Sequence, residues 1–91
     1  MSEHRVAEKV RWAVEAGGVV IINGATGAVT TLGYPQAAIW DFLTRGESRD
    51  RICAKLCPIA SLDLAAAHAL VLETVAALRE AGLLAPGESS G

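Results

Sequence analysis

"GVVIINGATGAVTTL", residues 18–32, consists of two apolar segments joined by a short polar turn. The first segment, "GVVII", is uniformly apolar and rich in β-branched residues, which predicts a central strand covered on both faces. Asn23, Gly24 and Gly27 are residues that readily adopt the positive φ angles of a hairpin turn, so a turn is predicted here. "AVTTL" then predicts a further strand that runs back along the first.

The segment before this hairpin, "KVRWAVEAG" at residues 9–17, alternates between apolar and charged side chains, which predicts a half-buried strand. One face of that strand contains Val10, Trp12, Val14 and Ala16, and the other face mostly Lys9, Arg11 and Glu15. Three strands with short connections predict an antiparallel meander whose first and third strands are edges. The charges on the first strand discourage pairing with other molecules, whereas the third strand carries none.

After the third strand the apolar period changes to that of helices. Pro35 suits the first turn of a first helix, which Gly46 ends. Ser48 is positioned to cap a second helix, and Pro58 is expected to end it. The sequence therefore turns from strands to helices near residue 34.

The third and longest helix is predicted from about Leu62 to Ala81, capped by Ser61 and closed by Gly82. The complete pattern predicts an α+β fold, with a three-stranded antiparallel sheet followed by three helices. The predicted helical core consists of Ile39, Phe42, Ile52, Leu56, Val71, Val75 and Leu78.

The third helix is more apolar than one contact face requires. At about 100° per residue, its core stripe contains Leu64, Val71, Val75 and Leu78, and one flank contains Ala67, Leu70, Thr74 and Ala77. A bare strand edge beside this flank would form a groove, and such a groove receives an extended peptide as an additional strand. The spacing alone does not place this helix beside the third strand.

Length and charge exclude several classes of protein. The chain has 91 residues, enough for one small domain, and a net charge of −2 at pH 7. It lacks a run of Lys or Arg, which disfavours nucleic acid as a partner. With no signal peptide and no apolar segment of about 20 residues, we expect a soluble, cytoplasmic protein without a membrane partner. We expect a flexible N-terminus at residues 1–8, one domain at 9–84 and a disordered tail at 85–91.

Two cysteines and two histidines are the candidates for a metal or catalytic site. Cys53 and Cys57 are four residues apart on a predicted helix, so they face the same way. A metal site would require two further ligands, for which only His4 and His68 are candidates. The sequence favours buried structural cysteines over metal or redox use. The sequence shows no nucleophile or acid that could act together with His68 as a catalytic base. We therefore expect that the protein is not an enzyme and that it binds no cofactor.

An ordered set of motifs covers most of the chain: Thr-Gly before a strand ending in Leu, then "AAIWDFL", then "VLETVAALREAGLL". The matching positions are Thr26, Gly27, Leu32, Ala37, Ile39, Trp40, Leu43, Leu78, Gly82, Leu83 and Leu84. With this set, residues 18–84 resemble the PqqD-like family, also called RiPP precursor peptide recognition elements. The chain departs from that family at two positions. Many members have Asn where this chain has Gly33, and an acidic residue where it has Leu70. The turn also lacks the Pro-Glu pair of the PqqD branch, which favours a pathway other than pyrroloquinoline quinone synthesis.

The resemblance implies a winged helix-turn-helix-like fold and a non-catalytic role. Such domains bind the leader segment of a ribosomally made precursor peptide between the third strand and the third helix. They deliver it to a modifying enzyme, such as a radical S-adenosylmethionine enzyme, a protease or a cyclase. The implied peptide-binding residues here are Ala28, Val29, Thr30, Thr31, Leu32, Ala67, Leu70, Thr74 and Ala77.

Two alternatives stay open at this point. The third-strand edge could be covered by the N-terminal tail or by a second copy of the chain, which would make a homodimer. Winged helices also bind DNA through a recognition helix. The second helix carries Arg49, Arg51 and Lys55, although Asp50 interrupts this cationic face.

Overall fold

The structure is a computed structural model that describes residues 6–84. Three strands, β1 (Val10–Glu15), β2 (Gly18–Asn23) and β3 (Val29–Gly33), precede three helices, α1 (Gln36–Thr44), α2 (Arg49–Ala60) and α3 (Leu64–Glu80). The strands form one antiparallel sheet in the order β1-β2-β3. The predicted α+β fold is confirmed. Residues 1–5 of the predicted flexible N-terminus and the predicted tail at 85–91 lie outside the described residues.

The helices cover only one face of the sheet. Val19 of β2 pairs with Leu32, and Ile21 pairs with Thr30, so these side chains share the face that carries the core. On the opposite face Ile22 is 44% exposed and Val29 63% exposed. The predicted coverage of β2 on both faces is wrong, because the three consecutive helices pack together on one side of the sheet.

The core lies between that sheet face and the three helices. Its largest fully buried side chains are Trp40, Ile21, Ile39, Ile52, Leu56, Leu78, Leu83 and Val71. The predicted helical core is present, except that Phe42 is half-buried at its rim, where the Lys55 ammonium lies 5.5 Å from the ring centroid. Leu64 was expected in the core stripe but is 55% exposed, because α3 begins at this residue.

Two helix boundaries differ from the prediction. Pro58 does not end α2, which continues to Ala60, because the φ angle of proline is compatible with a helix even though its N–H is lost. Ser61 does not cap α3; it ends α2 in the left-handed conformation, with φ of 57°. Asp63 caps α3 instead, and its Oδ1 accepts from the Ala66 N–H at 2.8 Å. The predicted cap of α2 is confirmed, because Ser48 Oγ accepts from the Arg51 N–H at 3.3 Å.

The end of α3 is attached to both the N-terminal segment and the sheet. The sequence places the start of the domain at residue 9, whereas Val6 already pairs with Leu84 and the Ala7 N–H donates to the Leu83 carbonyl at 3.0 Å. Asn23, at the end of β2, donates from Nδ2 to the carbonyls of Ala81 and Gly82, at 3.3 and 3.4 Å. These bonds hold the C-terminal end of α3 against the turn between β2 and β3.

No single helix in residues 6–84 is long and apolar enough to cross a membrane. The consecutive helices α2 and α3 reach that length and composition as a pair, with a bend of 114° between them.

Candidate functional site: a free strand edge beside an apolar cleft

β3 is an edge strand whose outer side pairs with no other strand in the described part of the chain. The Asn23 N–H donates to the Ala28 carbonyl at 2.9 Å, which fixes the phase of the ladder. Bonded and non-bonded pairs alternate along antiparallel strands, so Thr30 and Leu32 exchange backbone bonds with β2. The N–H and C=O groups of Val29, Thr31 and Gly33 therefore point outward.

The other side of β2 agrees with this phase. The Gly24 N–H donates to the Lys9 carbonyl at 2.8 Å, so this pair is hydrogen-bonded. Because bonded and non-bonded pairs alternate along the ladder, the β1 residues that form backbone hydrogen bonds with β2 are Arg11, Ala13 and Glu15. Consequently the backbone groups of Trp12 and Val14 point outward from β1. The sheet thus has two free edges in residues 6–84. The β1 edge carries the charged side chains that are predicted to discourage pairing, and the β3 edge carries none.

An apolar cleft of about 240 Å³ runs beside the β3 edge. No Cα atom of β3 lies within 8 Å of a Cα atom of α3, although both elements line this cleft. The cleft is lined by Thr30, Leu32, Gln36, Leu70, Glu73, Thr74, Ala77, Leu78 and Ala81. The predicted adjacency of the third strand and the third helix, which spacing alone could not establish, is therefore present.

The lining residues divide into a packed floor and an accessible wall. Thr74 and Leu78 are buried, Leu70 and Leu32 are half-buried, and Ala77 is exposed. An incoming apolar side chain would contact the accessible carbon atoms of Leu32, Leu70 and Ala77 and displace water from them. The cleft is therefore suited to apolar side chains.

The nine predicted contact residues fall into different environments. Five of them line the cleft, namely Thr30, Leu32, Leu70, Thr74 and Ala77. Val29 and Thr31 point their side chains to the open face of the sheet, so they offer only backbone groups. Ala28 precedes β3, and its carbonyl already accepts from Asn23. Ala67 is completely buried in the core, so its side chain does not line the cleft.

Four cleft residues were missed: Gln36, Glu73, Leu78 and Ala81. Two of them, Glu73 and Leu78, lie on α3, and Ala81 directly follows it, so the cleft follows positions 70, 73, 74, 77, 78 and 81. This is a helical stripe, and a wider arc in the sequence would have included Glu73 and Ala81. Gln36 could not be found in this way, because it reaches the cleft from the start of α1.

A larger concavity of about 370 Å³ lies at the opposite edge of the sheet, between β1 and α1. Trp12, Val14, Tyr34 and Ile59 line it with exposed apolar surface. Trp12 packs edge-to-face on Trp40, with ring centroids 5.4 Å apart. Trp40 is buried, and its indole N–H has no acceptor among the described residues. Because the β1 edge beside this concavity is also free, a peptide could pair there instead of with β3. The charged side chains of β1 disfavour that pairing.

The cysteines form no metal centre with other described residues. Cys53 is buried, and its Sγ lies 3.4 Å from Nδ1 of His68. Burial raises the pKa of the Cys53 thiol, which keeps it protonated. Cys57 Sγ contacts the Cys53 carbonyl at 3.3 Å. No group of three His, Cys, Asp or Glu side chains in residues 6–84 could hold a metal ion, and His4 lies outside the described residues.

The cationic face of α2 is partly neutralised within the chain. Arg51 Nε lies 3.1 Å from Glu47 Oε1, and Lys55 donates to the other oxygen of the same carboxylate. The hydrogen bond from Lys55 lowers the pKa of Glu47, which keeps this carboxylate ionised. Two of the three cations that would contact phosphate are thus already paired.

Comparison with solved structures gives two close matches in fold. One is described as TbiB1 in complex with the TbiA(beta) leader peptide; its TM-score is 0.85 at 23% identity, over 91% of this chain and 96% of that one. The other is described as lasso peptide synthetase B1 complexed with the leader peptide; its TM-score is 0.85 at 24% identity, over 93% of this chain and 100% of that one. The chain shares their fold.

At this level of identity the similarity establishes the architecture and leaves the ligand of this chain to be argued from its own residues. The predicted architecture, a three-stranded sheet followed by three helices, is confirmed by these two matches in fold. No family model matches the sequence, and no curated protein matches it.

Proposed function

We propose that this protein is a non-catalytic peptide-binding module that captures the leader segment of a ribosomally synthesised precursor peptide. The observation that carries this proposal is the free edge of β3 beside the apolar cleft. Backbone groups of Val29, Thr31 and Gly33 point outward from that edge, and the cleft lies against α3 next to it. Strand addition requires both features: backbone pairing for affinity and pockets for alternate side chains.

The phase of β3 determines which peptide side chains would enter the cleft. Directly opposed residues in an antiparallel pair point to the same face of the sheet. Peptide residues opposite Thr30 and Leu32 would therefore point toward α3, and those opposite Val29 and Thr31 would point to the open face. The peptide would place apolar side chains in the cleft at every second position.

We further infer that a modifying enzyme acts on the captured peptide. A leader held along β3 leaves the rest of the precursor extending beyond the sheet, where an enzyme could reach it. The two solved structures of this fold are described as leader-peptide complexes, one of them of a lasso peptide synthetase. A protease, a cyclase or a radical S-adenosylmethionine enzyme in the cytoplasm would each be served by such a module.

The described residues give the DNA-binding alternative no comparable support. Glu47 pairs with two of the three cations on α2, and the chain is acidic overall. Protein contacts to phosphate make binding steeply dependent on salt, whereas apolar burial with backbone hydrogen bonds does not.

Calorimetry at two ionic strengths tests the proposal. The ligands are synthetic peptides that cover the N-terminal segments of the short open reading frames found beside the gene for this chain, and the control ligand is a DNA duplex. We expect leader binding with little dependence on salt, no duplex binding and no turnover of the peptide. Salt-sensitive binding of the duplex without binding of the leader would contradict the proposal.

A further inference from the structure

Among residues 6–84, one acidic side chain and no basic side chain line the cleft between β3 and α3, and the acidic residue is Glu73. Its side chain is exposed, and no Lys, Arg or His of residues 6–84 forms an ion pair with it. The remaining lining residues are apolar, hydroxyl-bearing or amide-bearing. An ionised carboxylate at the rim of an apolar cleft favours ligands with a positive charge at the matching position.

The position of Glu73 along the cleft can be read from the two ends of β3. Asn23 holds Ala81 at the turn that precedes β3. Gln36, just after β3, lines the opposite end. Because α3 runs back toward the turn, Glu73 lies nearer the Leu32 end of β3 than Ala77 and Ala81 do. A peptide antiparallel to β3 would begin at this Leu32 end.

We propose that Glu73 selects peptides that carry Lys or Arg two residues before an apolar anchor. This inference rests on the proposed peptide-binding function. Cleft-facing side chains of an added strand recur at every second residue, so the cation and the anchor are two apart. The aliphatic stem of the cation would lie along Leu70 and its charged head would reach the Glu73 carboxylate. The anchor would follow in the part of the cleft lined by Ala77 and Leu78.

The expected contribution is a preference rather than the main source of affinity. Ion pairs between exposed side chains change an equilibrium constant by about two- to fivefold. Salt at about 1 M screens such a pair almost completely. Apolar anchors and backbone pairing would supply the remaining affinity, so removal of Glu73 should change which peptides bind and leave binding itself intact.

A displayed library of random twelve-residue peptides tests this inference. It is selected separately on the full chain, on Glu73→Lys and on the control Glu80→Lys. Glu80 is also an exposed glutamate of α3 but does not line the cleft, so the control makes the same change in net charge. Circular dichroism verifies that each variant is folded.

We expect all three proteins to enrich peptides with apolar residues at alternate positions. The unmodified chain and Glu80→Lys should enrich Lys or Arg two residues before an anchor, and Glu73→Lys should enrich Asp or Glu there. A selected peptide whose Lys is replaced by Glu should bind the unmodified chain about two- to fivefold more weakly than the original peptide does. For Glu73→Lys, the peptide with Glu should bind more tightly than the peptide with Lys.

Three outcomes would overturn the inference. If the unmodified chain and Glu73→Lys enrich peptides with apolar anchors and the same charge preference, Glu73 has no role in selection, and peptide binding itself is still supported. An equal change for Glu80→Lys would assign the effect to net charge rather than position. No enrichment on the unmodified chain would refute peptide capture and the Glu73 inference together.

Discussion

At the scale of single residues, the backbone of Thr31 matters more than its side chain. Its N–H and C=O point outward from β3, while those of Thr30 bond to β2. The sequence alone favours Thr30 as the first position for a proline test, with Val29 or Thr31 if the register differs by one. The Asn23 to Ala28 hydrogen bond moves the test to Thr31.

Thr31→Pro should abolish leader binding or weaken it more than tenfold, about 1.4 kcal/mol. Proline removes the outward N–H, and an edge strand tolerates this change. Thr30→Pro should instead destabilise the fold, because it removes a bond to Ile21. Calorimetry and thermal unfolding separate the two effects.

Arg11→Glu on the β1 edge is the control, and it should leave the affinity for the leader unchanged. Loss of leader binding by Arg11→Glu, together with normal binding by Thr31→Pro, would contradict the account.

Leu70→Asp should weaken leader binding by more than about 1.4 kcal/mol, or tenfold. It removes apolar contact area from the cleft and introduces a carboxylate that must lose water when the peptide binds. The matched control is Leu72→Asp, because Leu72 is an exposed leucine of the same helix outside the cleft. Equal effects of the two substitutions on the dissociation constant would show that the cleft is not the binding site.

At the scale of elements, α3 has two roles: it closes the core and forms one wall of the cleft. Val75 and Leu78 are buried, and the end of α3 is tied to the sheet by Asn23. The helical period of the sequence predicts the buried stripe. It could not place the helix start, because Ser61 and Asp63 are both good caps and the left-handed conformation of Ser61 decides between them.

Val75→Ala should lower the free energy of unfolding by roughly 2–4 kcal/mol, because it removes buried carbon atoms and leaves a cavity. Leu64→Ala should change it by less than about 0.5 kcal/mol, because Leu64 is largely exposed. Denaturant titration measures both values. A near-neutral Val75→Ala, or a costly Leu64→Ala, would show that α3 packs by a different face.

At the scale of the whole molecule, the order of elements is predictable because the apolar period changes from two to 3.6 residues after β3. The covered side of the sheet is not predictable from the same pattern. The run "GVVII" has apolar side chains on both faces, and only the packing of the helices shows that Ile22 stays exposed. Ala67 illustrates the same limit, because its position within the predicted flank does not reveal that the core already covers it.

Both edges of the sheet are free in residues 6–84, and each lies beside a concavity. The central claim is that the leader pairs with β3 and not with β1. Amide hydrogen exchange, followed residue by residue by NMR with and without the leader, tests this claim most directly. The account predicts that exchange slows at the outward amides of Val29, Thr31 and Gly33 and stays unchanged at those of Trp12 and Val14. Slower exchange at Trp12 and Val14, with unchanged exchange along β3, would contradict it.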